Sequence, residues 1–358
     1  MSLTRADAPV DLAGAAATPR AVQVLRDARA GARRRLLAVL AVLGVVVVAL
    51  FLLDVMLRST VVSPGLLVRV LGGELVPGVS FIVMEDTLPR AVTGALVGLA
   101  FGVSGATFQS LFRNPLASPD VVGVTAGAGT AAVLAISLGA QGRGVSLAAL
   151  AGAVGVAVTM QLLARRDRAS GARLILVGIG AAAALSAVTS YLLTRTDLRT
   201  ASESLRWLTG SLNASSWDRL VPLTVALAVL LPLAGVLSRS LRALETGEDN
   251  AAGLGVPVAR ARTVLLLVAV ALAGVATAAA GPIAYVAFLS GPIARRLLGG
   301  AVSVPVAGLV GAAIVLGADW AAAHVIPGTA LPVGVITGAL GAPFLLAMLV
   351  AGRAGRGG

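Results

Sequence analysis

Residues 88–128, LPRAVTGALVGLAFGVSGATFQSLFRNPLASPDVVGVTAGA, limit the fold most. They read as two membrane-length apolar segments joined by a short polar hairpin. The first, roughly 91–111, carries Gly94, Gly98 and Gly102 at four-residue spacing. That spacing lays bare backbone along one helix face, where a neighbouring helix can approach closely. The second segment repeats the device with Gly123, Gly127 and Ala131. Between them lie Arg113, Asn114, Pro115, Leu116, Ala117, Ser118, Pro119 and Asp120. Two prolines stop one helix and start the next, and the polar side chains need water or a protein partner, so the tip belongs at a membrane surface.

Composition extends this reading to the whole chain. With 58% hydrophobic and 12% charged residues, the 358-residue chain has more apolar surface than one soluble core buries. Mean hydropathy is +0.96. The class is all-α, a polytopic membrane protein whose solvent is the lipid bilayer. The 43 glycines and 3% aromatics suit helices packed through small residues, because lipid supplies no hydrophobic drive between helices.

Net charge is +12, yet no aromatic-interleaved basic patch of the kind that binds bases is present, so nucleic acid is not a partner. All 28 basic residues are arginine. The phosphate-binding loop that ends in Gly-Lys-Ser/Thr therefore cannot occur, and ATP hydrolysis by that route is excluded. There is no cysteine and a single histidine, His324, which argues against a catalytic dyad and against a Cys/His metal centre. An enzyme is a poor reading; no catalytic residue, metal ligand or directly bound cofactor is expected.

In chain order, residues 1–35 are an Ala/Arg/Asp-rich tail ending in Arg33, Arg34 and Arg35, longer and more charged than a signal-peptide start. A retained first span follows over about 36–57, with Asp54 near its end in a position that reads as interfacial. Further apolar runs follow the pair at about 145–163, 174–193, 220–237, 263–280, 283–298, 302–320 and 333–350, making ten spans in a transmembrane unit over 36–352, with a short tail at 353–358. With both termini cytoplasmic, 20 arginines fall in inner segments and eight in outer ones, which fixes the frame. The 283–298 run is the most irregular, since Pro282 and Pro292 break the backbone ladder and require compensation from neighbouring helices. Gly-rich spans with short polar turns recur in both halves, as in a transporter built from two similar repeats. A short outer helix over 201–212 would be ended by Gly210. Gln109, Ser104, Thr107, Thr189, Ser190, Thr337 and Asp319 are the few polar candidates for a pathway lining.

The largest inner loop, about 238–262, contains Gly247, Glu248, Asp249, Asn250, Ala251, Leu254 and Gly255. A glycine start, acids in a first turn and a glycine stop before Pro257 allow one or two short surface helices. A solvated connecting loop fits the residues equally well.

These blocks resemble the permease subunits of ABC importers for iron-siderophores, haem and vitamin B12. The likeness runs through Leu88, Pro89 and Arg90, then Gly98, Gly105 and Gln109, then Phe112 to Ala117, Pro119, Asp120, Gly123 and Val124. It returns in the 243–256 loop, in Ile293-Ala294-Arg295, and in 331–344, LPVGVITGALGAPF. It implies a permease forming the translocation path, with ferric siderophore as the leading cargo and vitamin B12 or haem as alternatives. It further implies two ABC ATPase subunits that spend ATP, a second permease subunit in a homo- or heterodimer, and an extracytoplasmic substrate-binding protein, all at a bacterial cell membrane. By the same resemblance, Gly247, Glu248, Asp249, Ala251, Leu254 and Gly255 form the ATPase-coupling loop. Arg113, Asn114, Pro115, Leu116, Pro119 and Asp120 form the signature loop. Outer arginines, here Arg90, Arg69, Arg58, Arg195 and Arg199, would receive acidic groups of the binding protein. The first arginine of the family's R-L-P-R is Thr87 here, and Ala323 stands where another is usual. An ion-coupled secondary transporter is the alternative from a different class, but it needs intramembrane carboxylate relays, and only Asp319 is placed for one.

Overall fold

The computed structural model describes residues 19–58, 60–120, 123–166, 171–326 and 331–354. The first 18 residues of the expected tail, Arg168 in the 165–173 turn, and Arg356 lie outside the described residues. Every regular element among the described residues is helical. The order is α1 (Pro19–Leu57), α2 (Pro64–Leu71), α3 (Val79–Phe81), a π-helical turn (Ile82–Thr87), α4 (Leu88–Leu111), α5 (Val124–Ser137), α6 (Arg143–Arg166) and α7 (Gly171–Arg195). Then come α8 (Leu198–Leu208), α9 (Trp217–Glu245), α10 (Glu248–Gly253), α11 (Val258–Ala280), α12 (Val286–Leu297), α13 (Val304–His324) and α14 (Val333–Ala354).

Each of the ten expected spans coincides with one of these helices. Among the described residues, seven are long and apolar enough to cross a bilayer by length and composition, while Val124–Ser137 and Val333–Ala347 are shorter apolar helices. The shortest, α12, has 12 residues, about 18 Å of rise. The reason is local: Gly281 and Tyr285 both take positive φ, so the chain turns before helix resumes. At the other extreme α1 begins at Pro19 rather than near 36, which makes the arginine-rich stretch before the first span a helical extension of it.

Burial ranks the helices. In α4, 18 of 24 residues are buried, so this helix meets protein all round. Its Phe101, Val97 and Val103 pack with Leu227 of α9, Leu272 of α11 and Val315 of α13. By contrast, the most apolar windows of α1 and α7 are almost wholly unburied in the chain alone, as suits a lipid-facing periphery. Close approach along α4 is backbone to backbone: a Cβ on Gly98 would lie 2.5 Å from the Gly311 carbonyl oxygen and one on Gly102 would lie 2.2 Å from that of Ala307. Gly94 faces Leu212 and Leu316, while Gly127 of α5 lies against Gly152 and Val156 of α6. Gly123 starts α5 in the left-handed region.

The two halves repeat in inverted sense. Helices α4 to α7 have 24, 14, 24 and 25 residues, and α11 to α14 have 23, 12, 21 and 22, so a long helix, a short one and two long ones recur in order. The end of α4 lies beside the start of α11, near α10, so the two units run oppositely. Packing follows the repeat, since α13 packs on α4 and α6 packs on α11.

Candidate functional site

Two polar clusters stand at opposite ends of the bundle. At one end the hairpin after α4, the loop around α10 and the end of α12 converge. Helix α9 stops at Glu245, and Gly247, at φ +128°, turns the chain into α10. Few residues other than glycine hold that backbone. Glu248 opens α10 and pairs with Arg262 of α11 at 2.8 Å. Asp249 is exposed beside it, and the Asn250 amide donates to the Thr246 carbonyl at 2.8 Å. Ala251 is fully buried, whereas Leu254 is 72% exposed. Gly255, at φ +79°, ends the turn. The result is a short helix pinned on one side and presenting its acidic and apolar tip outward.

The hairpin is tied to the end of α9, just before this helix. Arg113, a non-glycine residue at φ +48°, donates from Nη2 to the Leu244 carbonyl at 2.7 Å. The Asn114 side chain accepts from the Leu116 N–H at 2.9 Å, closing the turn ahead of Pro115. The Pro119 carbonyl accepts from the Val124 N–H, and Thr125 Oγ1 donates to Asp120. Leu116 and Asp120 also line a cavity of about 570 Å³ with Thr125, Leu208, Tyr285 and Phe288.

The polar residues inside the bundle mostly serve the backbone. Thr107 and Thr189 donate to carbonyls four residues back, and Ser104 donates to the Ala269 carbonyl. The Gln109 amide donates to the Phe288 carbonyl at 2.9 Å. That carbonyl is the one whose ladder partner would be residue 292, where Pro292 has no N–H. A buried glutamine of α4 thus supplies the compensation that the broken segment requires.

At the opposite end the chain buries four charges. Asp319 of α13 receives Arg90 Nε at 2.8 Å and Nη2 at 2.7 Å, a bidentate pair, and Arg58 Nη1 at 2.6 Å. Arg58 also reaches Asp54 at 2.7 Å, and Arg90 donates further to Asn213. Asp54 and Asp319 are fully buried and Arg90 is 4% exposed. Two expectations are corrected here. Asp54 is not an interfacial carboxylate, and Arg58 and Arg90 do not present free charge at the surface, because internal carboxylates already occupy them. The other three arginines are outward. Arg69 pairs with Glu74, holding that carboxyl below its usual range. Arg195 lies over the Tyr191 ring, 5.4 Å from its centroid. Arg199 sits in the first turn of α8, whose N-cap Asp197 accepts its backbone N–H.

Sequence reading missed Glu245, Arg295 and Asn213 as site residues. The Ile-Ala-Arg block drew the eye to 295 without a partner, and no local pattern pairs it with 245.

The class is set by these features together: a polytopic helical bundle with an inverted repeat and a small helix standing out at one end has the build of a membrane transport subunit. The chain belongs to the FecCD transport family, whose model matches residues 45–351. It is 40% identical over 280 residues to the ferric enterobactin transport system permease protein FepG of Escherichia coli, covering 78% of this chain and 85% of that one. It is 39% identical over 322 residues to the achromobactin transport system permease protein CbrC of Dickeya dadantii, covering 88% and 91%. Among solved structures, a metal-chelate type ABC transporter in an inward-facing conformation superposes with a TM-score of 0.76 at 26% identity, covering 88% of this chain and 99% of that one.

Proposed function

We propose that this chain is the permease of a binding-protein-dependent importer for ferric siderophores, worked by a separate pair of ATPase subunits that grip α10. The observation that carries the reading is α10 itself. A six-residue helix, held by Glu248–Arg262 and by buried Ala251 yet presenting Leu254 and Asp249, has the form of a handle. The relatives named for enterobactin and achromobactin support the cargo class.

The end of the bundle with α10 faces the cytoplasm on this reading. Arg113, Arg242, Arg262, Arg295 and the Arg33–Arg35 run all lie at or near that end, in line with positive-inside bias. Both termini are then cytoplasmic. A second permease subunit completes the path, and the binding protein docks at the far end, where Arg69, Arg195 and Arg199 are exposed cations. ATP acts only through the partner subunits.

The test is reconstitution in liposomes with candidate ATPase and binding-protein partners, following radiolabelled ferric enterobactin. ATP-dependent uptake that needs the binding protein is the expected result. Uptake of cobalamin but not of the siderophore would reject the cargo, and uptake driven by an ion gradient without any ATPase would reject the machine.

A further inference from the structure

Besides the apolar contacts of Leu241, Leu244, Ala251 and Ala261 around α10, the ends of α4, α9 and α12 face one another across a polar gap. A cavity of about 320 Å³ is lined there by Ser110, Arg113, Asn114, Glu245 and Arg295, with Gln109 at its inner wall. Arg295, in the last turn of α12, has Nη1 3.7 Å from Glu245 Oε1 at the end of α9, and Nη2 3.3 Å from Ser110 Oγ on α4. One step deeper, Gln109 of α4 holds the α12 backbone at Phe288, and its Oε1 is buried without a partner. Glu245 stands two residues before the Gly247 turn into α10.

Long charged side chains beside open space can exchange partners between discrete arrangements as packed helices shift. We infer that Arg295 is a positioning residue for transport: it links Glu245, at the root of α10, to Ser110 on the central helix, so that α4 and α12 follow the movement of α10. Arg113, donating to Leu244, is the parallel strut on the hairpin side. The inference rests on the importer reading and adds to it the path by which a push on α10 reaches the buried helices. Without the link, α10 still docks and the ATPase still turns over, but the bundle is no longer obliged to move.

The experiment uses the full complex in liposomes with radiolabelled ferric enterobactin. Arg295→Gln and Glu245→Gln are expected to assemble and to hydrolyse ATP, while ATP spent per siderophore imported rises on the order of fivefold. The reversed pair, Glu245→Arg with Arg295→Glu, is expected to recover most of that loss. Because the chain has no cysteine, spin labels can be placed at Thr246 and Arg296, exposed positions at the ends of α9 and α12. Their separation is expected to step together between nucleotide-free and ATP-bound complexes in the unaltered chain and to spread into a broad distribution in Arg295→Gln. Wild-type stoichiometry in both single variants, a reversed pair no better than either, or label distances indifferent to the substitution would each overturn the inference. An unaltered chain that imports nothing would overturn the importer reading, and this inference with it.

Discussion

Asp319 is the most exposed to failure of any single residue, because one buried carboxylate answers two guanidinium groups. Burying ions costs several kcal/mol each, and the pairing is favourable only while both signs are present. Asp319→Asn leaves Arg58 and Arg90 with Asp54 alone. The expected outcome is a loss of about 3–5 kcal/mol, read as a lower thermal unfolding midpoint in detergent. Asp319→Leu combined with Arg90→Met retains the Arg58–Asp54 pair and should regain most of that midpoint. An unchanged midpoint in Asp319→Asn would mean that the cluster carries no structural load. Sequence reading found Arg90 in its block and Asp319 as an isolated acid, but not that they touch. They are 229 positions apart, and ion pairing across that distance leaves no local pattern.

At the scale of the element, the α4–α13 seam is set by bare backbone. A side chain at Gly98 would meet the Gly311 carbonyl and the Ala312 Cα at 2.5 and 2.6 Å, and backbone cannot step aside as a side-chain tip can. Gly98→Leu should therefore part the two helices, lowering the unfolding midpoint and the yield of monodisperse protein. Gly180→Ala and Gly235→Ala, in α7 and α9, meet nothing within 4 Å and should be neutral or raise stability by up to about 1 kcal/mol. Equal behaviour of Gly98→Leu and Gly235→Ala would contradict the seam. The four-residue glycine spacing made this face visible in the sequence, since small-residue periodicity is a property of one helix alone. The π-helical turn at Ile82–Thr87 left no such mark: nothing in IVMEDT separates it from an ordinary helix start, and its Met84 carbonyl finds Trp217 Nε1 only through the tertiary fold. The broken segment lies between these cases. Pro282 and Pro292 announced the break, but Gln109 as the group that repairs it follows only from α4 lying against α12.

For the whole molecule, the importer reading and the inverted repeat together imply that a push on α10 is felt by both halves. The hairpin after α4 is bonded to the end of α9 just before α10, and α10 is paired with α11, so the small helix is set between the end of α4 and the start of α11. Helix α13 packs on α4 and α6 on α11, so on the importer reading a tilt of the central pair would carry both flanks. The positions of the ten spans were legible as apolar runs, though not their lengths, whereas the pairing of helices across the repeat was not, because low similarity between halves hides a symmetry that lies in geometry. The handle gives the sharpest test. Gly247 sits at φ +128°, which proline, fixed near −65°, cannot adopt, so Gly247→Pro must misdirect α10 while leaving the spans intact. Glu248→Arg keeps the backbone but sets two cations face to face, since Arg262 is the present partner. Both variants should insert and purify with the unaltered chain's yield, and both should lose ATP-driven uptake by at least about tenfold, roughly the effect of a coupling of 1.4 kcal/mol. Arg262→Glu added to Glu248→Arg restores opposite signs and separates the two causes. Recovery of uptake would assign the loss to the ion pair that pins α10, and continued failure would assign it to the acidic face the handle presents to its partner. Normal uptake in both Gly247→Pro and Glu248→Arg would remove α10 from the mechanism altogether.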